Sequence, residues 1–270
     1  TAEASTITTS LVTQSKVNAI IGPATSGATA SATANAAKAG VPIITPSATQ
    51  DDLTNKQDYL YRATFIDSYQ GKIISKYVTD NLKAKKVVLY YDQSSDYAKG
   101  MADAFKKIKG KEFDALVVPG YYTEAGKIVN QARGLGIDQT IVGPDGFGDA
   151  KFVEQATPAA ATNVYYVSGF TTSGEMSEKA KKFIEAYKAK YKEEPSMFAA
   201  LAYDSVYMAA EAAKGAKTSV DIKDNLAKLK DFDGVTGSIT IDKDHNPVKT
   251  ALMIGLKDGQ VDTVETVKAE

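Results

Sequence analysis

Residues 17–49 read VNAIIGPATSGATASATANAAKAGVPIITPSAT. The stretch opens on a short apolar run, 17-VNAII-21, and closes on a second, 41-VPIIT-45. Between them Gly22-Pro23 marks a turn, and 28-ATASATANAAKAG-40 is a helical pattern of small residues that stops at a glycine. Short runs with so little internal polarity suit strands covered by helices on both faces. Strand, helix and strand in that order form a βαβ unit, whose crossover is right-handed in a parallel sheet.

The same rhythm extends outward. Further apolar runs stand at 86-KVVLYY-91, 115-ALVV-118, 140-TIVG-143 and 164-VYYVS-168. They alternate with helical patterns over 3–15, 27–39, 67–83, 96–109, 123–135 and 148–156. The predicted class is α/β with parallel sheets. After residue 170 two long helices are expected, 176–192 and 196–214, with Pro195 suited to a first helical position. A shorter helix over 219–230 leads to strands at 237-GSITI-241, 250-TALMIGL-256 and 261-VDTVET-266, with turns at 231-DFDG-234, 243-KDHN-246 and 257-KDG-259. The segments 20-IIGPATSGATA-30 and 140-TIVGPDGFGDA-150 repeat one strand–turn–helix device, which suggests two similar lobes.

Composition narrows the function. The 270 residues carry 32 basic and 33 acidic side chains, so no basic excess points to nucleic acid. The absence of cysteine removes disulfides, thiolate metal sites and cysteine nucleophiles. One histidine, His245, in a polar turn leaves little room for triad or metal–histidine chemistry. There is no G-x-S-x-G elbow, no phosphate-loop G-x-x-x-x-G-K-[ST] and no G-x-G-x-x-G. A calcium loop at Asp242 fails because Pro247 takes the glycine position. A binding protein is expected, with no enzyme activity, cofactor or metal.

In open parallel sheets ligands bind beyond the carboxyl ends of strands, where helix N-termini present free N–H groups. Five loops fit: 22-GPATSGAT-29, 45-TPSATQ-50, 91-YDQSSDY-97, 119-PGYYTEAG-126 and 143-GPDGFGD-149. Ser26 opens a helix and either caps it or offers its hydroxyl to a small anion such as a carboxylate. Thr49 repeats the theme, with a cap before 50-QDDL-53 as its other reading. Asp145, beside Tyr121 and Tyr122 at neighbouring strand ends, either holds an ammonium or is the turn residue of 144-PDG-146. Tyr97 closes a cavity or covers the helix after it.

These loops resemble those of the substrate-binding proteins of branched-chain amino-acid ABC transporters, the Leu/Ile/Val-binding type of type I periplasmic binding protein. The likeness runs through 18-NAIIGPATSGAT-29, 42-PIITPSAT-49, 62-RATFIDSYQG-71, 117-VVPGYYTEAGKIVNQARGLG-136, 141-IVGPDG-146 and 202-AYDSVY-207. It implies two Rossmann-like lobes joined by three crossovers, residues 1–66 with 170–251 and residues 67–169 with 252–270. The pair would close like a clamp on an aliphatic amino acid in the cleft between them. Carried over residue by residue, the pattern places the ligand carboxylate on Ser26 and Thr49. The ammonium falls to the Ser47 carbonyl, Asp145 and Tyr121, and Ala24, Thr25 and Tyr97 line the pocket. Many relatives have glutamate where Asp145 stands.

The resemblance also implies a first βαβ unit ahead of residue 1, and a further strand and helix near residues 107–109, so the chain reads as incomplete at both places. The implied partners are the ligand and the membrane subunits of an importer. Membrane contact is expected only indirectly or through a lipid anchor outside this sequence, in the periplasm or on the outer face of the cytoplasmic membrane. The complete protein is expected to be a monomer. A sensor or regulatory domain of the same fold is the alternative.

Overall fold

In the computed structural model, which describes residues 2–90 and 112–267, the chain divides into two units. The first comprises Thr1–Ser68 and Glu175–Thr250, the second Tyr69–Gly174 and Ala251–Glu270.

In the first unit α1 (Ala2–Thr13) precedes β1 (Ile20–Ile21), α2 (Ser26–Lys38), β2 (Ile43–Thr45) and β3 (Leu60–Arg62). The strands form a parallel sheet in the order β1-β2-β3, with Ile20 opposite Ile43 and Ile44 opposite Tyr61. The small side chains of α2 allow close packing: Ala32, Thr33 and Ala36 are buried. The Asn35 amide on its other side donates to the Ser5 carbonyl and hydroxyl of α1 at 3.2 and 2.9 Å. Ile20, Ile43, Leu53 and Leu60 complete this core.

The returning chain adds α6 (Glu178–Tyr191), α7 (Met197–Ala212) and α8 (Ser219–Leu226), with Ser177 and Ser196 as caps and a capping box between Thr218 and Asp221. Pro195 thus precedes the cap of α7 and is not its first helical residue. An antiparallel sheet follows, β8 (Phe232–Gly234), β9 (Gly237–Ile241) and β10 (Pro247–Val248). The segment expected as a turn at 231–234 is therefore largely strand, and the turn itself lies at Val235–Thr236. The reason is Asp204, a buried residue of α7 that accepts from the Val235 and Thr236 N–H groups at 2.7 and 2.9 Å. The Thr236 hydroxyl also bonds Asp204, and Lys249 Nζ donates to that same hydroxyl and to the Ala63 carbonyl. Burial pushes the Lys249 ammonium down to about 8, opposed by the charge of Asp204.

The single histidine has a structural place in this unit. His245, at φ 63°, stacks on Tyr61 with ring centroids 4.3 Å apart. Its Nδ1 lies 3.0 and 3.2 Å from the Leu60 and Gln57 carbonyls, so the hydrogen sits on Nδ1.

The second unit begins within the first turn of α3 (Asp67–Lys76), which runs on into a π-helical turn, Tyr77–Asn81. Its strands are β4 (Val87–Leu89), β5 (Ala115–Val117), β6 (Thr140–Gly143), β7 (Val164–Ser168), β11 (Ala251–Lys257) and β12 (Gln260–Val267), interspersed with α4 (Tyr122–Gly134) and α5 (Ala150–Ala156). The sheet order is β12-β11-β7-β6-β5-β4; β4 to β7 are parallel, and β11 and β12 join antiparallel. The β-rich tail expected from the sequence therefore serves both units. Leu116, Ile128, Ile141, Phe147, Phe152 and Ile254 centre the core. Burial on both faces holds for the central strands. It does not hold for β4, the last strand in the sheet order, where Val87 and Leu89 are 46% and 56% exposed.

Candidate binding site

In the first unit the loops after β1 and β2 are bound to one another. Gly22, at φ +104°, needs the freedom of glycine to turn the chain out of β1. The buried hydroxyls of Thr29 and Thr45 reach the Pro23 carbonyl at 3.1 and 2.6 Å. The Ser47 hydroxyl donates to the Ala24 carbonyl at 2.9 Å, and the Gln50 N–H donates to Ser26 Oγ at 3.3 Å. Ala24, Thr25, Ser26, Ser47 and Thr49 are thus gathered on one pair of loops.

The capping alternatives do not describe these residues. Thr25 is the cap position of α2, without a side-chain capping bond, and Ser26 is the first helical residue. Gln50 precedes the short 3-10 helix Asp51–Thr54, again without a side-chain cap. The Thr49 side chain makes no hydrogen bond among the described residues, while its carbonyl accepts from the Asp67 N–H at 2.8 Å. The first turn of α2 also has N–H groups without intrahelical acceptors.

Behind these loops lies Arg62, fully buried on β3. Its Nη1 donates to the Ala48 and Gln50 carbonyls at 3.0 and 2.9 Å, one on each side of Thr49. Nη2 reaches the Thr54 hydroxyl at 3.4 Å. Burial lowers the guanidinium to about 10, with Asp51 and Asp67 the leading opposing charges, so it remains a cation at neutral pH. A buried positive charge behind a loop of hydroxyls favours an anion in front of it. Sequence reasoning missed both β3, a three-residue strand of mixed polarity, and Arg62. The signal was an arginine at the head of 62-RATFIDSYQG-71, one of only two arginines in the chain.

In the second unit Tyr121 and Asp145 stand in loops that leave adjacent parallel strands, β5 and β6. Tyr121 is the cap residue of α4 and 55% exposed; Asp145 opens the 3-10 turn Asp145–Phe147 and is buried. Two glycines fix that turn. A Cβ on Gly143 would lie 2.3 Å from the Phe147 ring, and one on Gly146 would lie 2.3 Å from the Gly120 carbonyl oxygen. The Phe147 ring is itself stacked on Phe152 at 4.6 Å. The two loops are therefore in backbone contact, and Asp145 is a clamped residue rather than an exposed turn residue. Its N–H donates to Gln70 Oε1 at 2.9 Å, a buried partner on α3 that the sequence reading did not single out. Tyr97 lies outside the described residues.

Among the described residues no group of three or more His, Cys, Asp or Glu side chains could hold a metal, and no helix is long and apolar enough to cross a membrane. The loops of the first unit carry hydroxyls and peptide groups, and those of the second a carboxylate and an aromatic ring.

Residues 100–260 match the family model described as "Periplasmic binding protein", and residues 1–114 match "Receptor family ligand binding region". The chain is 61% identical to the branched-chain amino acid transporter substrate-binding protein LivJ of Streptococcus pneumoniae, whose crystal structure holds isoleucine. That likeness has a TM-score of 0.94 and covers 99% of this chain and 84% of LivJ. The Leu/Ile/Val-binding protein BraC3 of Rhizobium johnstonii is 30% identical over 175 residues, 54% of this chain and 47% of BraC3. The leucine-, isoleucine-, valine-, threonine- and alanine-binding protein of Pseudomonas aeruginosa is 26% identical over 257 residues, 84% of this chain and 68% of that protein. The match with BraC3 thus spans about half of that relative's length. The chain belongs to the periplasmic binding protein family, among the substrate-binding proteins of branched-chain amino acid transporters.

Proposed function

We propose that this chain captures an aliphatic, branched-chain type amino acid outside the cytoplasm and presents it to the membrane subunits of an ABC importer. The observation that carries this reading is the 61% identity, over 99% of the chain, to a protein crystallised with isoleucine. The site chemistry supports it. Ser26, Thr49 and the free N–H groups at the start of α2 take the carboxylate, backed by the Arg62 cation. The Ser47 carbonyl, Asp145 and Tyr121 take the ammonium, and Ala24 and Thr25 flank the aliphatic side chain. Pairing both charges is what makes burial of a zwitterion tolerable, since an unpaired buried charge is strongly destabilising. Calorimetry across the twenty amino acids tests the proposal: binding confined to aliphatic ones is expected, and binding of none of them would refute it. Asp145→Asn is expected to weaken isoleucine binding about a hundredfold, the effect of removing one charge-assisted partner from a buried ammonium.

A further inference from the structure

We propose that residues 62–70 form a positioning strap that acts separately on each unit's binding loop, with Arg62 fixing the Thr49 loop and Gln70 fixing Asp145. This rests on the assignment of Thr49 and Asp145 to the ligand's two charged groups. Arg62 holds the carbonyls on either side of Thr49, at Ala48 and Gln50. Five residues on, the Asp67 N–H holds the Thr49 carbonyl itself at 2.8 Å, and the Ser68 N–H donates to Asp51 Oδ1 at 3.1 Å. One helical turn after Asp67, Gln70 accepts from the Asp145 N–H. Asp67 and Gln70 lie on the same helix, about 4.5 Å apart along its axis. The anchor of the carboxylate loop and the anchor of the ammonium partner thus stand on one helix, each acting within its own unit.

A second observation singles out the same nine residues. Of five buried side-chain atoms without a hydrogen-bond partner among the described residues, Arg62 Nε, Thr64 Oγ1 and Gln70 Nε2 fall within 62–70; the others are Gln139 Oε1 and Thr263 Oγ1. Buried polar atoms are normally satisfied, and exceptions concentrate where geometry serves function. Arg62 and Gln70 touch peptide groups and not the proposed ligand atoms, so both are positioning residues.

Double-mutant cycles on L-isoleucine affinity, with urea unfolding in parallel, test the strap. Gln70→Leu is paired with Asp145→Asn, and Arg62→Lys with Thr49→Val. Each strap variant alone is expected to weaken binding about tenfold, the equivalent of one hydrogen bond to a binding group. Each matched double variant should then bind no more weakly than its poorer single, because a residue acting only through its partner has nothing left to position. The crossed double, Gln70→Leu with Thr49→Val, should multiply the two losses. Matched doubles whose losses multiply would overturn the proposal, as would strap variants that lose stability but bind like wild type. Gln70→Met replaces Gln70→Leu if the latter does not fold, and the Gln70 cycle decides alone if Arg62→Lys does not fold. A wild-type chain that binds no aliphatic amino acid overturns the amino-acid reading itself, and the strap with it.

Discussion

Replacing Gly146 by alanine puts a methyl group where the protein already has a carbonyl. The added Cβ would stand 2.3 Å from the Gly120 oxygen, 3.1 Å from its carbonyl carbon and 3.2 Å from the Tyr121 Cα. All three are backbone atoms, so no rotamer change relieves the contact. Restoring an ordinary separation requires a shift of about 1 Å between the two loops. Phe147 cannot follow freely, because its ring is packed against Gly143 on one side and stacked on Phe152 at 4.6 Å on the other. Overpacking of this kind destabilises by about 1–3 kcal/mol. On the proposed assignment of Asp145 to the ligand ammonium, displacing its carboxylate by the same distance should remove a charge-assisted hydrogen bond worth about 1.5–3 kcal/mol, or roughly ten- to 150-fold in Kd. Isothermal calorimetry with L-isoleucine and urea unfolding read the two effects separately. Gly134→Ala serves as the control, since its Cβ would meet nothing within 4 Å, and should leave affinity unchanged. Wild-type affinity in Gly146→Ala would show that the Gly120–Gly146 contact does not set the position of Asp145.

Three further outcomes are expected. Ser26→Ala should weaken isoleucine binding about tenfold while changing stability by less than about 0.5 kcal/mol, because Ser26 is not a cap; a loss near 1 kcal/mol would restore the capping role. Asp204→Ala strips the Val235 and Thr236 N–H groups of their acceptor and Lys249 of its counter-charge, so a loss of about 3–5 kcal/mol in urea unfolding is expected. Lys249 is held near 8 in the fold against 10.5 ordinarily, so between these values the unfolded chain binds more protons. Wild type should therefore gain about 3 kcal/mol relative to Lys249→Met as pH rises from 8 to 10.5, and a flat difference across that window would contradict the burial of its ammonium.

The alternating body of the fold is legible in the sequence because β2, β5, β6 and β7 are apolar runs bounded by glycine, proline or hydroxyl residues. β3 is not legible, since Leu60–Arg62 shows no period and its arginine argues against a buried position. Only the tertiary arrangement, which brings the Ala48 and Gln50 carbonyls to the guanidinium, makes that burial possible. The turn expected at 231–234 failed for a similar reason, as Asp204 lies far away in sequence. On the candidate site, the Gly-Pro echo after β1 and β6 marks two similar loops but conceals different causes. Gly22 is required by its positive φ, whereas Gly143 is required by the room that Phe147 takes. Hydroxyls and carboxylates at strand ends announce themselves by type and place. The peptide-binding residues behind them, Arg62 and Gln70, carry no such mark.

The antiparallel junction of β11 with β7 bears on how the molecule is made. Residues 164–168 find their second neighbour only in residues 251–257, and the first 68 residues share a unit with a segment that starts at residue 175. A ribosome delivers sequence in one direction, at about 5–20 residues per second. The first unit therefore lacks its returning helices until residue 226 and its antiparallel sheet until residue 248 has emerged, and the second lacks two strands until residue 267 has. Neither half can be finished and set aside while the other is built. The parallel sheet of the first unit can pair once residue 62 has emerged, whereas that of the second stays short of its full set of strands until residue 267.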